Sequence, residues 1–578
     1  MRLKTDYEIG MLPFLEHPAP QKERETWLNL NGNWQLEKLS TKNEKVFSGE
    51  ILVPFSPETL NSGIEEGFVL EGGQTLVYER KFSLVEETLN GRVFLHFGAV
   101  DSECEVYING ELVGGHRGGF TPFSFDITKS IKGGENTIRV IVKDEAITNG
   151  GARGKQSKKR GGIWYTPQSG IWQTVWLEFT PNDYIDNIKI TPNVTDKKLT
   201  ITFSSKTLVK VTVIDEHKEI LSKEGENSVE FNYDFELWSP ENPKLYDLVF
   251  VNGSGDKIKS YFGFRSFEVV TDKTGKKRLG LNGKPYFYNG VLDQGYWSDG
   301  MLTYPSDKAA YDELKMLKDM GFNTVRKHIK PEPMRWYYHC DKLGLVVWQD
   351  FINGGGNYNF FNIALFPQIG FNRHRDDDYK FFKRTNKEAK EEYRVMMKEI
   401  VETLYNCVSV GVYVPFNEGW GQFDSGLITE ELERLDSTRI IDSVSGWHDQ
   451  GKDKTRLKSM HIYFTPLVVP KDDRAVVLSE FGGYSYKVKG HVFDERKTFG
   501  YRQYKTQEKY IKAVEELFTN KIAKMITDGL SASIYTQVSD VEEEINGLIT
   551  YDRKVQKIPT EKMKEINDKL KEVWSKIE

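Results

Sequence analysis

The stretch "VGVYVPFNEGWG", residues 410–421, decides the fold. Its first part is an unbroken apolar run, the pattern of a strand buried on both faces as in a parallel sheet. It stops abruptly at an amide and a carboxylate, Asn417 and Glu418, and two glycines follow within three residues. A loop glutamate reaching for water would explain Glu418 taken alone. Recurrence of the pattern along the chain gives it a second reading.

Seven more short apolar runs surround it: 286–292, 322–329, 345–351, 439–446, 458–464, 475–481 and 532–538. Helical patterns fill most gaps. In "SDKAAYDELKMLKDMG", Ala310, Leu314 and Leu317 recur at helical spacing and Gly321 stands where a helix would stop. Eight strands alternating with helices over residues 271–578 give the arithmetic of a (β/α)8 TIM barrel. The gap between the fifth and sixth strands is too short for a full helix, so an irregular unit is expected there.

Upstream the period changes to two. From residue 25 to 181, alternating segments such as "GNWQLEKL", "LVYERKFSL" and "NTIRVIVKD" are separated by turn signals, and Asn109-Gly110 favours a type I′ hairpin. Residues 1–181 therefore read as a β-sandwich. A second strand series over 182–270 has the length and even spacing of an immunoglobulin-like sandwich.

The 578 residues carry 79 Lys plus Arg against 85 Asp plus Glu, a net charge of −6, so nothing in the balance points to nucleic acid. The one basic cluster, "RGKQSKKRGG" at 153–162, reads as a solvated loop. Three cysteines make no disulfide framework and have no metal spacing. No signal-peptide stretch and no membrane-length apolar span occurs, which leads to the expectation of a cytoplasmic protein with no membrane partner. Oligomeric state is not legible, and a homo-oligomer stays open. The 12 Trp and 28 Tyr supply rings that can stack on sugar faces.

In a barrel of this kind the active site lies at the C-terminal strand ends. Two carboxylates stand there, Glu418 after the fourth strand and Glu480 after the seventh in "VVLSEFGGYS". Such a pair is what glycoside hydrolysis needs, one group to protonate the leaving oxygen and one to attack or to activate water. A metal site is the competing reading, but neither Glu has a His or carboxylate ligand at short spacing.

Together "PFNEGWG", "SEFGG", "GFNTVRKH", "CDKLGLVVWQDF", "INGLITYDR", "GIWYTPQSGIWQTVWLE" and "FGFRSFEV" resemble glycoside hydrolase family 2, the family of β-galactosidases, β-glucuronidases and β-mannosidases. The resemblance spans nearly the whole chain and implies a sugar-binding-like jelly roll, an immunoglobulin-like sandwich and a catalytic barrel, in that order. It implies Glu418 as acid/base and Glu480 as nucleophile of a retaining double displacement, with no cofactor and no metal required and a glycoside or oligosaccharide as substrate. Asn417 would bond the sugar 2-hydroxyl. Arg326 and Tyr463 would keep Glu480 ionised, and Trp420 would wall Glu418. Each has a structural alternative: Arg326 as an ion-pair partner, Tyr463 as a core residue, and His461 as either. Trp447 and His448 line the rim or cap a loop, Asp293 grips a hydroxyl, and Asp350 is sugar-binding or structural.

The departures bear on the substrate. Many relatives have Ser-His-Tyr-Pro after the arginine, where this chain reads "RKHIKP", with Ile329 at the usual histidine position and His328 one place earlier. Phe481 replaces a common Tyr after the nucleophile. The Asn-x-Lys element of glucuronidases is absent, the region reading "EEINGLITYDRKVQK", and no Glu-x-His follows Asp350 to bind magnesium. An exo-acting retaining β-glycosidase is expected, with a β-galactoside favoured over a uronide, mannoside or α-L-arabinoside. A catalytically silent carbohydrate-binding protein is the rival class.

Overall fold

A computed structural model describes residues 3–145, 147, 150–359, 361, 363, 366–368 and 374–577. The N-terminal sandwich packs a six-stranded antiparallel sheet against a four-stranded one. Alternation supplies its core: in Gly134–Lys143, Ile138, Val140 and Val142 point inward among Trp34, Leu36, Tyr78, Leu95 and Phe97. The Asn109-Gly110 turn has φ of 52° and 87°, the left-handed pair that a type I′ hairpin requires. The strand Lys45–Val53 was not evident in the sequence because Gly49 and charged residues interrupt its alternation.

Seven strands form the second sandwich, three against four. Its edge strand Lys218–Gly225 is largely charged, a composition that discourages pairing with another chain and hides the strand from a hydrophobic scan. The run "YFGFRSFEVV" is split. Lys257–Phe262 closes the sandwich, whereas Phe267–Thr271 pairs with Lys277–Leu281 in a separate three-stranded sheet. Between them Arg265 is buried and donates to the carbonyls of Cys407 and Val408, tying this sandwich to the barrel.

The barrel strands are β1 (Tyr288–Asp293), β2 (Thr324–Lys327), β3 (Val346–Asp350), β4 (Val410–Val414), β5 (Ile440–Ile441), β6 (Leu457–Ile462), β7 (Ala475–Gly482) and β8 (Leu530–Thr536). Each overlaps a run read from the sequence, and four of them, β1, β6, β7 and β8, overrun it by one or two residues. They pair in parallel in the order β5-β4-β3-β2-β1-β8-β7-β6. Among the described residues no ladder joins β5 to β6, and no helix separates them, as the short gap implied. A second parallel pair, Phe416–Asn417 with Val444–Ser445, carries β4 and β5 upward at that seam. Ser306 caps the helix Asp307–Asp319 by accepting from the Ala309 amide, and left-handed Gly344 ends the helix Met334–Leu343. No described helix is long and apolar enough to cross a membrane.

The basic cluster is not a solvated loop in its first half. Arg153, Lys155 and Gln156 are all buried, because this segment of the sandwich enters the barrel mouth. Arg153 donates its amide to the Asn353 carbonyl after β3, and Thr166 donates to Glu542 after β8. Gly154 permits the approach: its φ is +60°, and a Cβ there would lie 3.1 Å from the Ile329 carbonyl.

Candidate active site

The question raised by "NEGWG" has a backbone answer. Glu418 and Gly419 both have positive φ, 52° and 77°, and the Trp420 amide donates to the Asn417 carbonyl at 3.0 Å. The chain makes a tight left-handed turn directly at the strand end, with a non-glycine residue held in the disfavoured region. That turn holds Glu418 beside the strand instead of releasing it into a solvated loop. Gly419 is required there twice, by its φ and by the His448 ring, 2.6 Å from where a Cβ would stand.

Arg326, from β2, organises the floor. It is fully buried, and its five N–H groups all have acceptors: Asp350 twice, the Ser479 carbonyl, Glu480 Oε1 at 3.1 Å and Asn417 Oδ1 at 2.7 Å. Both Asp350 oxygens are engaged by the guanidinium. This fork fixes the guanidinium plane, and Asp350 Oδ2 also accepts from His328 Nδ1 at 2.7 Å. Because Asn417 accepts through oxygen, its amide nitrogen is left buried with no hydrogen-bond partner among the described residues, a donor held in reserve.

Glu480 receives two kinds of donor, Arg326 on Oε1 and the Tyr463 hydroxyl on Oε2 at 2.5 Å. Burial raises its pKa and the Glu418 carboxyl adds to the rise, while His461, Arg326 and Tyr463 oppose it by favouring the ion. Tyr463 stacks on Tyr501 at 4.0 Å, which fixes the phenol. Glu418 has fewer compensations. Burial pushes its pKa up to about 7, against the smaller lowering effects of Lys155 and Arg326. One carboxyl is therefore poised to hold a proton near neutrality, and the other is surrounded by groups that favour its anion.

His461 bridges the two. Its Nδ1 lies 2.7 Å from Glu418 Oε1 and its Nε2 2.8 Å from Ser445 Oγ, and burial lowers its pKa to about 4. Ser445, Ser459 and Ser479 form a hydroxyl cluster beneath it. Glu418 Oε2 has no hydrogen-bond partner among the described residues.

The remaining candidates separate. Trp420 is buried, its ring 5.1 Å from that of Trp164 of the incoming loop and 4.4 Å from the Lys155 ammonium. Trp447 donates to the His461 carbonyl and steadies the end of β6, and His448 packs on Phe382 and meets the Ile363 carbonyl, the loop-capping alternative. Asp293 is drawn away from the pair: it binds Lys327 and accepts from the Gly295 amide. Sequence reasoning missed Lys155, Glu544 and Tyr165. The Tyr165 hydroxyl donates to Glu544 at 2.5 Å, and Lys155 is coupled electrostatically to Glu544, Glu418 and Glu480. No local pattern marks a residue whose role depends on another domain's loop reaching the barrel.

Glu418, His461 and Glu480 each offer one ligand atom, all within 4.8 Å of one another, a donor set that could hold a divalent ion such as zinc. Arg326 argues against such occupancy, since its guanidinium nitrogen stands 3.1 Å from Glu480 and 3.4 Å from His461 Nε2.

Three family models match in sequence: the sugar binding domain of glycosyl hydrolases family 2 over residues 54–181, a second domain of that family over 183–265, and its TIM barrel domain over 273–574. The chain is 28% identical over 324 residues to a beta-galactosidase of Thermoanaerobacter pseudethanolicus, covering 50% of this chain and 41% of that protein. It is 26% identical over 378 residues to a beta-glucuronidase of Streptococcus agalactiae, covering 60% of each. The chain thus spans only two-fifths to three-fifths of these relatives' length. A solved beta-glucuronidase from an uncultured Clostridium superposes with a TM-score of 0.74 at 18% identity, covering 96% of this chain and 99% of that one, a likeness of fold.

Proposed function

The chain belongs to glycosyl hydrolases family 2, and from that premise we propose that it is an exo-acting, retaining β-glycosidase. The observation that carries the proposal is the carboxyl pair: Glu418 and Glu480 are both buried, with oxygens within 4.8 Å of each other and opposite surroundings. Retaining enzymes hold their carboxyls about 5–5.5 Å apart, inverting ones about 6.5–9.5 Å to admit a water. The short separation supports retention.

On this reading Glu480, held ionised by Arg326 and Tyr463, attacks the anomeric carbon. The bond to the aglycone oxygen breaks as Glu418 delivers its proton there, leaving a glycosyl ester on Glu480. Glu418, now ionised, takes a proton from water as that water attacks the same carbon and releases the sugar with its β configuration. The spare Asn417 N–H groups meet the 2-hydroxyl, a contact that strengthens as the oxocarbenium character develops. The residues named carry every proton and bond, so the proposal needs no cofactor or metal.

For the sugar, the reading is a neutral hexoside with a β-galactoside first. Its support is that "EEINGLITYDRKVQK" lacks the Asn-x-Lys element of glucuronidases and carries a buried carboxylate, Glu544. The test is a panel of aryl β-galactosides, glucuronides, mannosides and α-L-arabinosides, assayed with wild type and with Glu480→Gln. Turnover that Glu480→Gln abolishes supports the reading. Binding of sugars without turnover of any would favour the silent binding protein.

A further inference from the structure

Among the described residues, the charge of Lys155 has no direct partner. Its side chain is 5% exposed, and among the described residues the ammonium has neither a hydrogen bond nor an ion pair. It has only aromatic contacts, 4.4 Å from the Trp420 ring centroid and 5.6 Å from that of Trp164. The charges that act on it most are Glu544, Glu418, Glu480 and Arg326, and none of the three carboxylates lies within ion-pair distance. Its backbone is pinned, since the Tyr165 amide donates to the Lys155 carbonyl at 3.0 Å and the neighbouring Arg153 amide is held by the barrel. The Lys155 nitrogen is not among the buried atoms that lack a partner, so it keeps contact with solvent, and its three donors are open to a ligand.

Glu544 is the complementary half. Tyr165 engages its Oε2 and the Asn546 amide its Oε1, at 2.5 and 3.0 Å, which orients the carboxylate and leaves lone pairs unused. Asn546 is itself fixed by Gln537. Tyr165 thus joins the two, its amide bonded to the Lys155 carbonyl and its hydroxyl to Glu544, while no ion pair forms between the ammonium and the carboxylate. A sugar hydroxyl fits between such groups because it accepts from the ammonium and donates to the carboxylate in the same pose. A substrate carboxylate could satisfy the ammonium only by standing beside Glu544 and Glu480.

We propose that Lys155, delivered into the barrel mouth by the N-terminal sandwich, and Glu544 together read one ring or exocyclic hydroxyl of a neutral sugar and disfavour uronides. This rests on the glycosidase reading above. It makes the sandwich a contributor to the active site and Lys155 a specificity-determining residue.

The test is a cycle between protein and substrate. Wild type, Lys155→Met and Glu544→Gln are assayed for kcat/KM on the preferred aryl β-glycoside, on each of its monodeoxy analogues and on the matching uronide. Wild type should lose about 100-fold on one deoxy analogue, and each variant about 100-fold on the parent, the size of a hydrogen bond to a charged group. On that one analogue the variants should cost about 3-fold or less, because the contact is already gone. Thermal unfolding serves as the folding check, and Lys155→Met should keep Tm because the ammonium makes no hydrogen bond or ion pair among the described residues. Equal penalties on every analogue refute the hydroxyl contact. A wild type that prefers the uronide, with Lys155→Met losing only that activity, assigns Lys155 to a carboxylate and refutes the proposal. If wild type turns over no glycoside, the glycosidase reading fails and takes this one with it, whereas a working enzyme without the coupling refutes this proposal alone.

Discussion

Removing the Glu418 carboxyl as Glu418→Ala should separate substrates by their leaving groups. The side chain is buried, its pKa is raised to about 7 by that burial and its Oε2 has no partner among the described residues, so it can carry a proton near neutrality and is free to serve a leaving oxygen. For an alkyl or sugar aglycone, which must be protonated to depart, loss of a general acid should lower kcat/KM by about 10²–10⁴-fold. For an activated aryl aglycone, glycosylation should hardly change. Hydrolysis of the intermediate should then slow, since the same residue activates water. Added azide, which needs no base, should speed turnover and give a β-glycosyl azide. The pH dependence has a fixed sign: the acid works protonated, so wild-type kcat/KM on poor leaving groups should fall about tenfold per unit above pH 7. That basic limb should vanish in the variant. Stopped-flow with aryl glycosides of graded acidity, plus product NMR, measures all of this. Equal losses on good and poor leaving groups, with no azide rescue, would mean that Glu418 only positions its neighbours.

Three more outcomes follow from the floor of the site. Arg326→Met strips partners from Asp350, Glu480 and Asn417 together, and should cost about 3–5 kcal/mol of stability by chemical denaturation as well as the activity; Arg326→Lys, lacking the fork, should not restore it. Tyr463→Phe removes a donor to the Glu480 anion, so the Glu480 pKa should rise further and the acidic limb of the pH profile should move to higher pH, the nucleophile being needed ionised. Dialysis against a chelator should leave kcat unchanged, whereas loss of activity restored by zinc would favour metal occupancy of the Glu418, His461 and Glu480 cluster.

The barrel was legible because its strands, buried on both faces, are apolar runs that survive without context, and because turns and helix caps punctuate them. Lys45–Val53 and Lys218–Gly225 were not legible: one is interrupted by glycine, and the other lies at a sheet edge where side chains face water. Glu418 and Glu480 were readable as polar endings of buried runs. Asp293 shows the limit of that rule, since it too ends a strand, yet Lys327 from the neighbouring strand engages it. Lys155 and the serines beneath His461 depend on contacts between distant segments, and hydropathy carries no record of such contacts.

The central claim is a covalent intermediate on Glu480. Wild-type protein should be incubated with a 2-deoxy-2-fluoro β-glycosyl donor of the sugar it hydrolyses best, bearing an activated leaving group, so that glycosylation proceeds and deglycosylation stalls. Peptide mass spectrometry should then find the fluoroglycosyl mass once per chain, esterified to Glu480 in the segment "VVLSEFGGYS". Time-dependent inactivation with no label on the protein, or a label on another carboxylate, would contradict the account.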